Sequence, residues 1–137
     1  MEVDLETGEI EVKRIIAVHD AGRAVNPQQM EGQIQRGIIE AQGWSLSEDF
    51  ISAEGYVKTD RFSTYLIPTI LDAAPEIKCV LIDKPDPVGP FGVRGVGEVG
   101  IIPLAPAIVS AVHSATGVWF DRIPLKPEQV ITGLQES

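Results

Sequence analysis

A glycine-rich run from Gly89 to Gly100, with the sequence GPFGVRGVGEVG, constrains this chain more than any other feature. Its closely spaced glycines predict a backbone that can adopt positive φ and approach another group closely, because glycine has no Cβ. One carboxylate, Glu98, lies among them, and an apolar segment opened by Pro103 follows. A loop of this form before a helix can present backbone N–H groups and an acidic side chain to a bound group. The run therefore has the form of a cofactor or active-site loop.

The length and composition predict one globular domain spanning residues 1–137. Of these residues, 44% are hydrophobic and 23% are charged, which is typical of a chain that folds around one sizeable core. The net charge of −9 comes from 11 basic and 20 acidic residues and disfavours a nucleic-acid partner. The length is too short for an enzyme that holds several cofactors.

Metal-ligating and targeting residues are scarce. The single cysteine, Cys79, excludes an internal disulfide, and two histidines are too few for a zinc or iron–sulfur site built by this chain alone, so no metal ligands are predicted. No apolar run approaches the roughly 20 residues that span a bilayer, and the acidic N-terminus lacks the positive start of a signal peptide. We therefore expect a soluble, cytoplasmic protein.

The N-terminal half predicts a β-hairpin followed by a helix. Two apolar runs, 3–5 and 10–18, flank a turn, and the end of the second run is apolar on both faces, which predicts a strand covered on both sides. Asn26 and Pro27 are typical of an N-cap and a first helical position. The helix predicted from there has a stripe of Met30, Ile34, Ile38 and Ala41 and ends near Gly43.

The C-terminal half completes an α+β fold. The predicted elements are two short strands around 53–55, a strand at 76–84 buried on both faces, a helix from Pro103 to a C-cap at Gly117, a strand at 118–120 and a short helix from Pro127. We expect a mixed sheet with about two main helices. His113, near the end of the second helix, is interpreted as structural.

Two glycines inside the first predicted helix, Gly32 and Gly37, each cost about 1 kcal/mol relative to alanine. They indicate a helix face that another backbone or a ligand approaches closely. On sequence grounds, tight packing of the helix against a sheet is the favoured explanation of these two glycines.

Three hypotheses compete for the glycine-rich run. The first is dinucleotide binding, because Gly95 to Gly100 matches G-x-G-x-x-G and Asp121 follows 21 residues later. That fingerprint needs a strand running directly into its first glycine, whereas prolines 85, 87 and 90 intervene here. The second hypothesis is a structural turn with Glu98 solvated or capping the next helix. The third makes Glu98 a desolvated general base. The residues alone do not separate the last two.

Three blocks of sequence resemble the xanthine dehydrogenase/aldehyde oxidase family of molybdenum hydroxylases. The first is the stretch from Gly89 to Glu98, which is similar to the family's active-site loop. The second runs from Val18 to Pro27, with Glu31 to Gln33 after it, and the third is Ile67 to Thr69. The resemblance extends from about residue 3 to residue 134 and implies the C-terminal portion of a molybdopterin-binding subunit, that is, a partial molybdopterin-binding domain.

The resemblance implies roles for individual residues. Glu98 matches the family's catalytic glutamate, which takes a proton from a hydroxide bound to molybdenum while the substrate is oxidised. Gly95 and Gly97 would let the loop pack against the pterin cofactor. Gln29 and Gln33 fall in a helix start that lies beside molybdopterin in that family.

The resemblance also implies partners and limits. Glu98 is followed by Val99 rather than the Pro-Pro of the animal enzymes, which is similar to the bacterial branches, and Arg94 stands where many relatives carry lysine. The family's subunit is several times longer, so the expected cofactor, a molybdenum–pterin that could be in its dinucleotide form, would be shared with a larger subunit. Iron–sulfur and flavin subunits would complete the enzyme, whose substrate would be a small N-heterocycle or aldehyde.

Two hypotheses about the role of the chain remain. In the first it contributes Glu98 to a molybdenum hydroxylase, either as a separately encoded small subunit or as an excised domain, and is inactive alone. In the second it is a non-catalytic, stand-alone binding or assembly module derived from the same fold. An isolated chain would expose surfaces that a larger subunit covers, so we expect it to form homo-oligomers or to aggregate.

Overall fold

Six short strands and three α-helices lie along residues 1–136, the part of the chain that this computed structural model describes. In chain order they are β1 (Glu2–Val3), β2 (Ile10–Glu11), β3 (Arg14–Asp20), α1 (Pro27–Leu46), β4 (Ser52–Ala53), β5 (Tyr56–Val57), β6 (Glu76–Ile82), α2 (Leu104–Thr116) and α3 (Pro127–Glu136). The α+β class with two main helices is confirmed. The strands pair as three separate two-stranded sheets. Within residues 1–136, no helix combines the length and the apolar character that crossing a membrane requires.

The long helix α1 begins as the sequence predicts. Asn26 has an extended backbone, and its Oδ1 accepts a hydrogen bond from the N–H of Gln29 at 3.1 Å, with Pro27 at the first helical position. The helix continues three residues past Gly43. A Cβ on Gly43 would lie 2.6 Å from Cδ of Pro68, so this glycine is required for packing and does not end the helix.

The core is built around one face of α1. Ile34, Ile38 and Ala41 are at most 1% exposed, as the predicted stripe requires, and Met30 at its start is half-buried. They pack with buried side chains from β3, α2 and the connecting segments: Val12, Ile15, Ala74, Leu104, Ile108, Val112 and Leu125. Burial of each large aliphatic side chain contributes about 1.5–3 kcal/mol. The C-terminal segment is tied to the same helix by a hydrogen bond from the N–H of Leu125 to the carbonyl oxygen of Ser45.

Strands β3 and β6 form a parallel pair in register from Arg14 opposite Glu76 to Asp20 opposite Ile82. The chain between them includes α1. This helix packs on one face of the pair, where Ile15 joins the buried core. Because the strands are parallel, their carboxyl ends are neighbours. The two segments that leave those ends are the loop after Asp20 and the segment leading to the glycine-rich run, and ligands commonly bind at such an edge.

The opposite face of this pair is exposed. Ile16 and Val18 on β3 are 55% and 56% exposed, and Val80 and Ile82 on β6 are 37% and 46% exposed. The prediction that these strands are buried on both faces is therefore wrong for this chain. The reason is that α1 covers one face and no segment of residues 1–136 covers the other. We call these four side chains the outer sheet face.

Two further strand predictions differ from the structure. The run 10–18 is divided into β2 and β3, because Val12 between them is 6% exposed and points into the core. Residues 118–120 do not form a strand. After the left-handed C-cap at Gly117, Trp119 instead stacks on His113 with 3.9 Å between ring centroids. The hairpin, the strands around residue 54, the C-cap at Gly117 and the last helix are confirmed.

Backbone contact joins α1 to the end of the glycine-rich run. A Cβ on Gly37 would lie 3.1 Å from the backbone nitrogen of Ile101, and one on Gly100 would lie 2.6 Å from the carbonyl oxygen of Ile34. The other glycine that the sequence analysis singled out in α1 is Gly32, and an added Cβ there would have no atom within 4 Å. Packing therefore explains Gly37, whereas the described residues do not explain Gly32.

We predict opposite effects of alanine at two glycines. Gly100→Ala should lower the free energy of unfolding by about 1–3 kcal/mol, because its Cβ meets a backbone oxygen that cannot move without distorting α1. Gly32→Ala should raise it by about 0.5–1 kcal/mol, because alanine favours the helix and the site is open. Urea unfolding of the two variants and the unmodified chain measures both. A Gly100→Ala variant as stable as the parent would show that this contact is not tight.

Candidate functional site

The loop after β3 is joined directly to the glycine-rich run. Gly22 and Val93 form an antiparallel bridge, with the N–H of Arg23 bonded to the carbonyl oxygen of Gly92 at 2.7 Å and the N–H of Arg94 bonded to that of Ala21 at 3.2 Å. The first two sequence blocks, which lie more than 60 residues apart in the chain, thus form one unit at the carboxyl ends of β3 and β6.

An arginine between two aspartates fixes this unit. Arg94 donates from Nη1 to Oδ2 of Asp20 at 2.9 Å and from Nε to Oδ2 of Asp86 at 2.7 Å. The other oxygen of Asp86 accepts hydrogen bonds from the N–H groups of Val88 and Gly89, both at 2.8 Å. The Arg94 guanidinium first, and then these two N–H groups, lower the pKa of Asp86 to about 2. We call Asp20, Arg94 and Asp86 the arginine brace.

Within the glycine-rich run the glycines differ in what they do. Gly92, with φ of 77°, adopts the left-handed conformation that favours glycine, and it follows Phe91, with φ of 57°. Gly95 and Gly97 have no positive φ, and a Cβ added to either would have no atom of residues 1–136 within 4 Å. Nothing in the described chain therefore requires glycine at these two positions, and their backbone is open to another group.

Glu98 is exposed beside this open backbone. Its side chain is 66% accessible, and Oε1 accepts a hydrogen bond from Nη2 of Arg36 at 2.8 Å. It does not cap α2, because Pro103 is the N-cap residue and no side chain bonds there, so the capping interpretation is wrong. The desolvation expected of a general base is not provided by the described part of this chain.

The structure places Gln33 against the run and leaves Gln29 apart from it. Nε2 of Gln33 donates to the carbonyl oxygen of Gly97 at 3.0 Å. Gln29 lies one turn earlier on α1, exposed in the capped first turn. Gln33, Gly97 and Glu98 are thus together, with Gly95 two residues away.

Arg36 is the residue that sequence reasoning missed. Besides its bond to Glu98, its Nη2 donates to the carbonyl oxygen of Gly97 at 3.3 Å, and its Nη1 pairs with Glu40 one turn further along α1. The hydrogen bond to Glu98 is the main cause that raises the pKa of Arg36. The i, i+3 spacing from Gln33 puts both side chains on one face of α1 and could have revealed it.

This arrangement combines open space beside two glycines with a carboxylate that can accept a proton. Gly95 and Gly97 have open space where a Cβ would lie. The hydrogen bond from Gln33 fixes the peptide group that joins Gly97 to Glu98. Glu98 supplies an exposed carboxylate at the edge of that surface. Carboxylates act as proton acceptors where a reacting group lies within hydrogen-bond reach.

Residues 1–74 match the family model of a molybdopterin cofactor-binding domain. The chain is similar to the probable hypoxanthine oxidase XdhD of Escherichia coli, with 38% identity over 98% of this chain and 14% of the relative. It is also similar to the aldehyde oxidoreductase of Megalodesulfovibrio gigas, with 35% identity over 97% of this chain and 14% of the relative. The chain therefore spans less than one fifth of the length of these relatives.

A solved structure agrees with these sequence matches. The quinoline 2-oxidoreductase of Pseudomonas putida superposes on 98% of this chain with a TM-score of 0.90 and 35% sequence identity. The superposed part makes up 17% of that structure's chain.

The arginine brace predicts a specific dependence of stability on pH. The pKa of Asp86 in the folded chain, about 2, lies below the usual value of 3.8. The stabilisation that Asp86 contributes is thus complete above about pH 5 and is lost as the pH falls from about 4 towards 2. The difference in unfolding free energy between the parent chain and Asp86→Asn should accordingly be largest near pH 7 and shrink towards pH 2.

Urea unfolding at pH 7, 4, 3 and 2 measures this difference. Asp60→Asn is the control, because its carboxylate lies 3.8 Å from Arg61 and makes no contact with the brace. A difference that stays constant with pH would contradict the assignment to Asp86.

Proposed function

Because the chain belongs to the molybdopterin cofactor-binding domain family of the molybdenum hydroxylases, we propose that it forms one wall of a molybdenum–pterin site and supplies its base, Glu98. The proposed reaction is the hydroxylation of an N-heterocycle or an aldehyde, with water as the source of oxygen. The observation that supports the proposal is the position of Glu98, exposed next to Gly95 and Gly97, where an added Cβ would have no described atom within 4 Å. The remaining walls come from the rest of a larger subunit.

The residues present fit a pterin group. A pterin is a flat heterocycle with hydrogen-bonding edges, and it needs close approach and polar partners. Gly95 and Gly97 give that approach, since an added Cβ at either would project into open space. Gln33 provides an amide from α1 on the same side, and Gly32 is open in the same way. When bound, the molybdenum would supply Lewis acidity and accept the electrons of the oxidation.

Glu98 acts in this proposal through one carboxylate oxygen. Arg36 bonds to Oε1, which leaves Oε2 to take up a proton from the water that supplies the oxygen atom. A carboxylate is a sufficient base at such a site because a metal ion acidifies a nearby water. The larger polypeptide that covers this surface would exclude bulk water, which the described residues do not do.

The substrate class and the partners complete the proposal. The names of the hypoxanthine oxidase and quinoline 2-oxidoreductase relatives refer to N-heterocycles, and that of the aldehyde oxidoreductase refers to aldehydes, so both substrate classes belong to the proposal. We propose a larger pterin-binding subunit and iron–sulfur and flavin subunits as partners, with the pterin in its simple or dinucleotide form. A cytoplasmic location stays a prediction.

Glu98→Gln tests the role of the base. In the assembled enzyme this variant should lose at least about 100-fold in kcat, because removal of a general base typically costs 10²–10⁴-fold, while its molybdenum content is unchanged. Oxidation of hypoxanthine, quinoline and benzaldehyde with a tetrazolium dye as acceptor measures the activity. Glu128→Gln, an exposed change in α3, is the matched control. Activity retained in Glu98→Gln would refute the proposed role.

Gly97→Val tests whether the open backbone faces the cofactor. In the isolated chain it should leave the unfolding free energy unchanged within about 0.5 kcal/mol, because an added Cβ there has no atom of the described residues within 4 Å. In the assembled enzyme it should lower the ratio of molybdopterin to protein, because the same side chain would occupy the space of the pterin. A full complement of cofactor in this variant would place the pterin elsewhere.

A further inference from the structure

Arg36 lies at the point where α1 meets the glycine-rich run, and three of its contacts converge there. Its guanidinium bonds Glu98 at 2.8 Å and the carbonyl oxygen of Gly97 at 3.3 Å, and it pairs with Glu40 on its own helix. The Arg36 side chain is 39% exposed, so it is partly enclosed between the helix and the run. One side chain therefore holds both the backbone and the carboxylate of the same short segment.

Gln33 supports the same segment from one turn away. Its amide donates to the carbonyl oxygen of Gly97, so two side chains of α1 bond one oxygen atom. The backbone on the far side of Glu98 is fixed by the contact of Gly100 with Ile34 and by the hydrogen bond from the N–H of Ile101 to the carbonyl oxygen of Glu98 at 3.1 Å. The main chain of Glu98 is thus held on both sides, and among the described residues Arg36 alone holds its side chain.

Without Arg36 the carboxylate would be free to rotate, because two thirds of its surface is exposed. The pair with Glu40 limits the rotamers of Arg36 itself, since a guanidinium forms directional hydrogen bonds with two carboxylates at once. The three side chains form a chain of contacts that begins on the rigid helix and ends at Glu98. Orientation of a catalytic group in this way can be worth about 100-fold in rate.

We propose that Arg36 is the positioning residue for Glu98, orienting its carboxylate from α1 while leaving Oε2 free to accept a proton. This inference rests on the proposed function of Glu98. In this role Arg36 acts through Glu98 and not through the substrate or the cofactor.

The kinetic test uses Arg36→Ala, Arg36→Lys, Glu98→Gln and the double variant in the assembled, cofactor-loaded enzyme, with hypoxanthine, quinoline and benzaldehyde as probes. Arg36→Ala should lower kcat about 10- to 100-fold with KM changed less than about 2-fold, because orientation is lost and binding is not. Arg36→Lys should recover part of the rate, since it keeps the charge without the two-point contact. The double variant should be no slower than Glu98→Gln alone, because Arg36 acts through Glu98.

A second readout does not depend on turnover. Hydrogen exchange followed by mass spectrometry should show the segment 97–101, which includes the bonded N–H of Ile101, exchanging about 3- to 10-fold faster in Arg36→Ala. Arg61→Ala is the matched control. It removes an exposed arginine whose carboxylate partner, Asp60, is 3.8 Å away and outside the site. This control should leave both exchange and kcat unchanged.

The outcomes separate the two proposals. An inactive Glu98→Gln together with a fully active Arg36→Ala would overturn the positioning role and leave the proposed function standing. An active Glu98→Gln would overturn the proposed function, and with it the need to position a base. Loss of molybdenum or of thermal stability in Arg36→Ala would make Arg36 a structural residue and overturn the inference. Unchanged exchange at 97–101 would show that Arg36 does not hold this segment and would overturn it as well.

Discussion

The close approach of α1 to the glycine-rich run is the contact on which the site depends. Gly37 on the helix and Gly100 on the run lack side chains where the two backbones meet, and a Cβ on Gly100 would overlap the carbonyl oxygen of Ile34. The buried stripe of α1 fixes the helix in the core, so this contact transfers the rigidity of the core to the loop. Gln33 can then reach the carbonyl oxygen of Gly97, and Arg36 can reach both that oxygen and Glu98.

The N-terminal end of the run is fixed by ion pairs and backbone hydrogen bonds. There the arginine brace and the bridge between Gly22 and Val93 tie the run to the carboxyl end of β3 through charge and hydrogen bonds. Apolar packing and backbone contact hold one end, and electrostatics holds the other. The stretch from Gly95 to Glu98 lies between these two fixed ends. Its conformation is therefore held at both ends while its surface stays exposed. The chain thus presents a carboxylate on a surface that it does not itself enclose.

Local sequence patterns predicted the elements that depend on local interactions. The cap at Asn26, the stripe through Ile38 and the C-cap at Gly117 are each set by residues within a few turns, and each was confirmed. The outer sheet face was misjudged because an apolar pattern shows only that a surface must be covered, and not by which part of a protein. Arg36 was missed because its partner is 62 residues away in sequence, although its i, i+3 spacing from Gln33 places both side chains on one face of α1. The catalytic role of Glu98 is predicted from resemblance and not from spacing, and it stays a prediction.

The parallel pair of β3 and β6 has a consequence for association between copies of this chain. Two strands make a marginal sheet, and within residues 1–136 neither outer edge has another strand beside it. Unpaired edges are templates for strand addition, and the outer sheet face next to them is apolar. Copies of this chain whose edges stay uncovered would accordingly offer the same template to one another. Coverage of both edges and of the outer sheet face is therefore a requirement that the fold imposes on any molecule containing this chain.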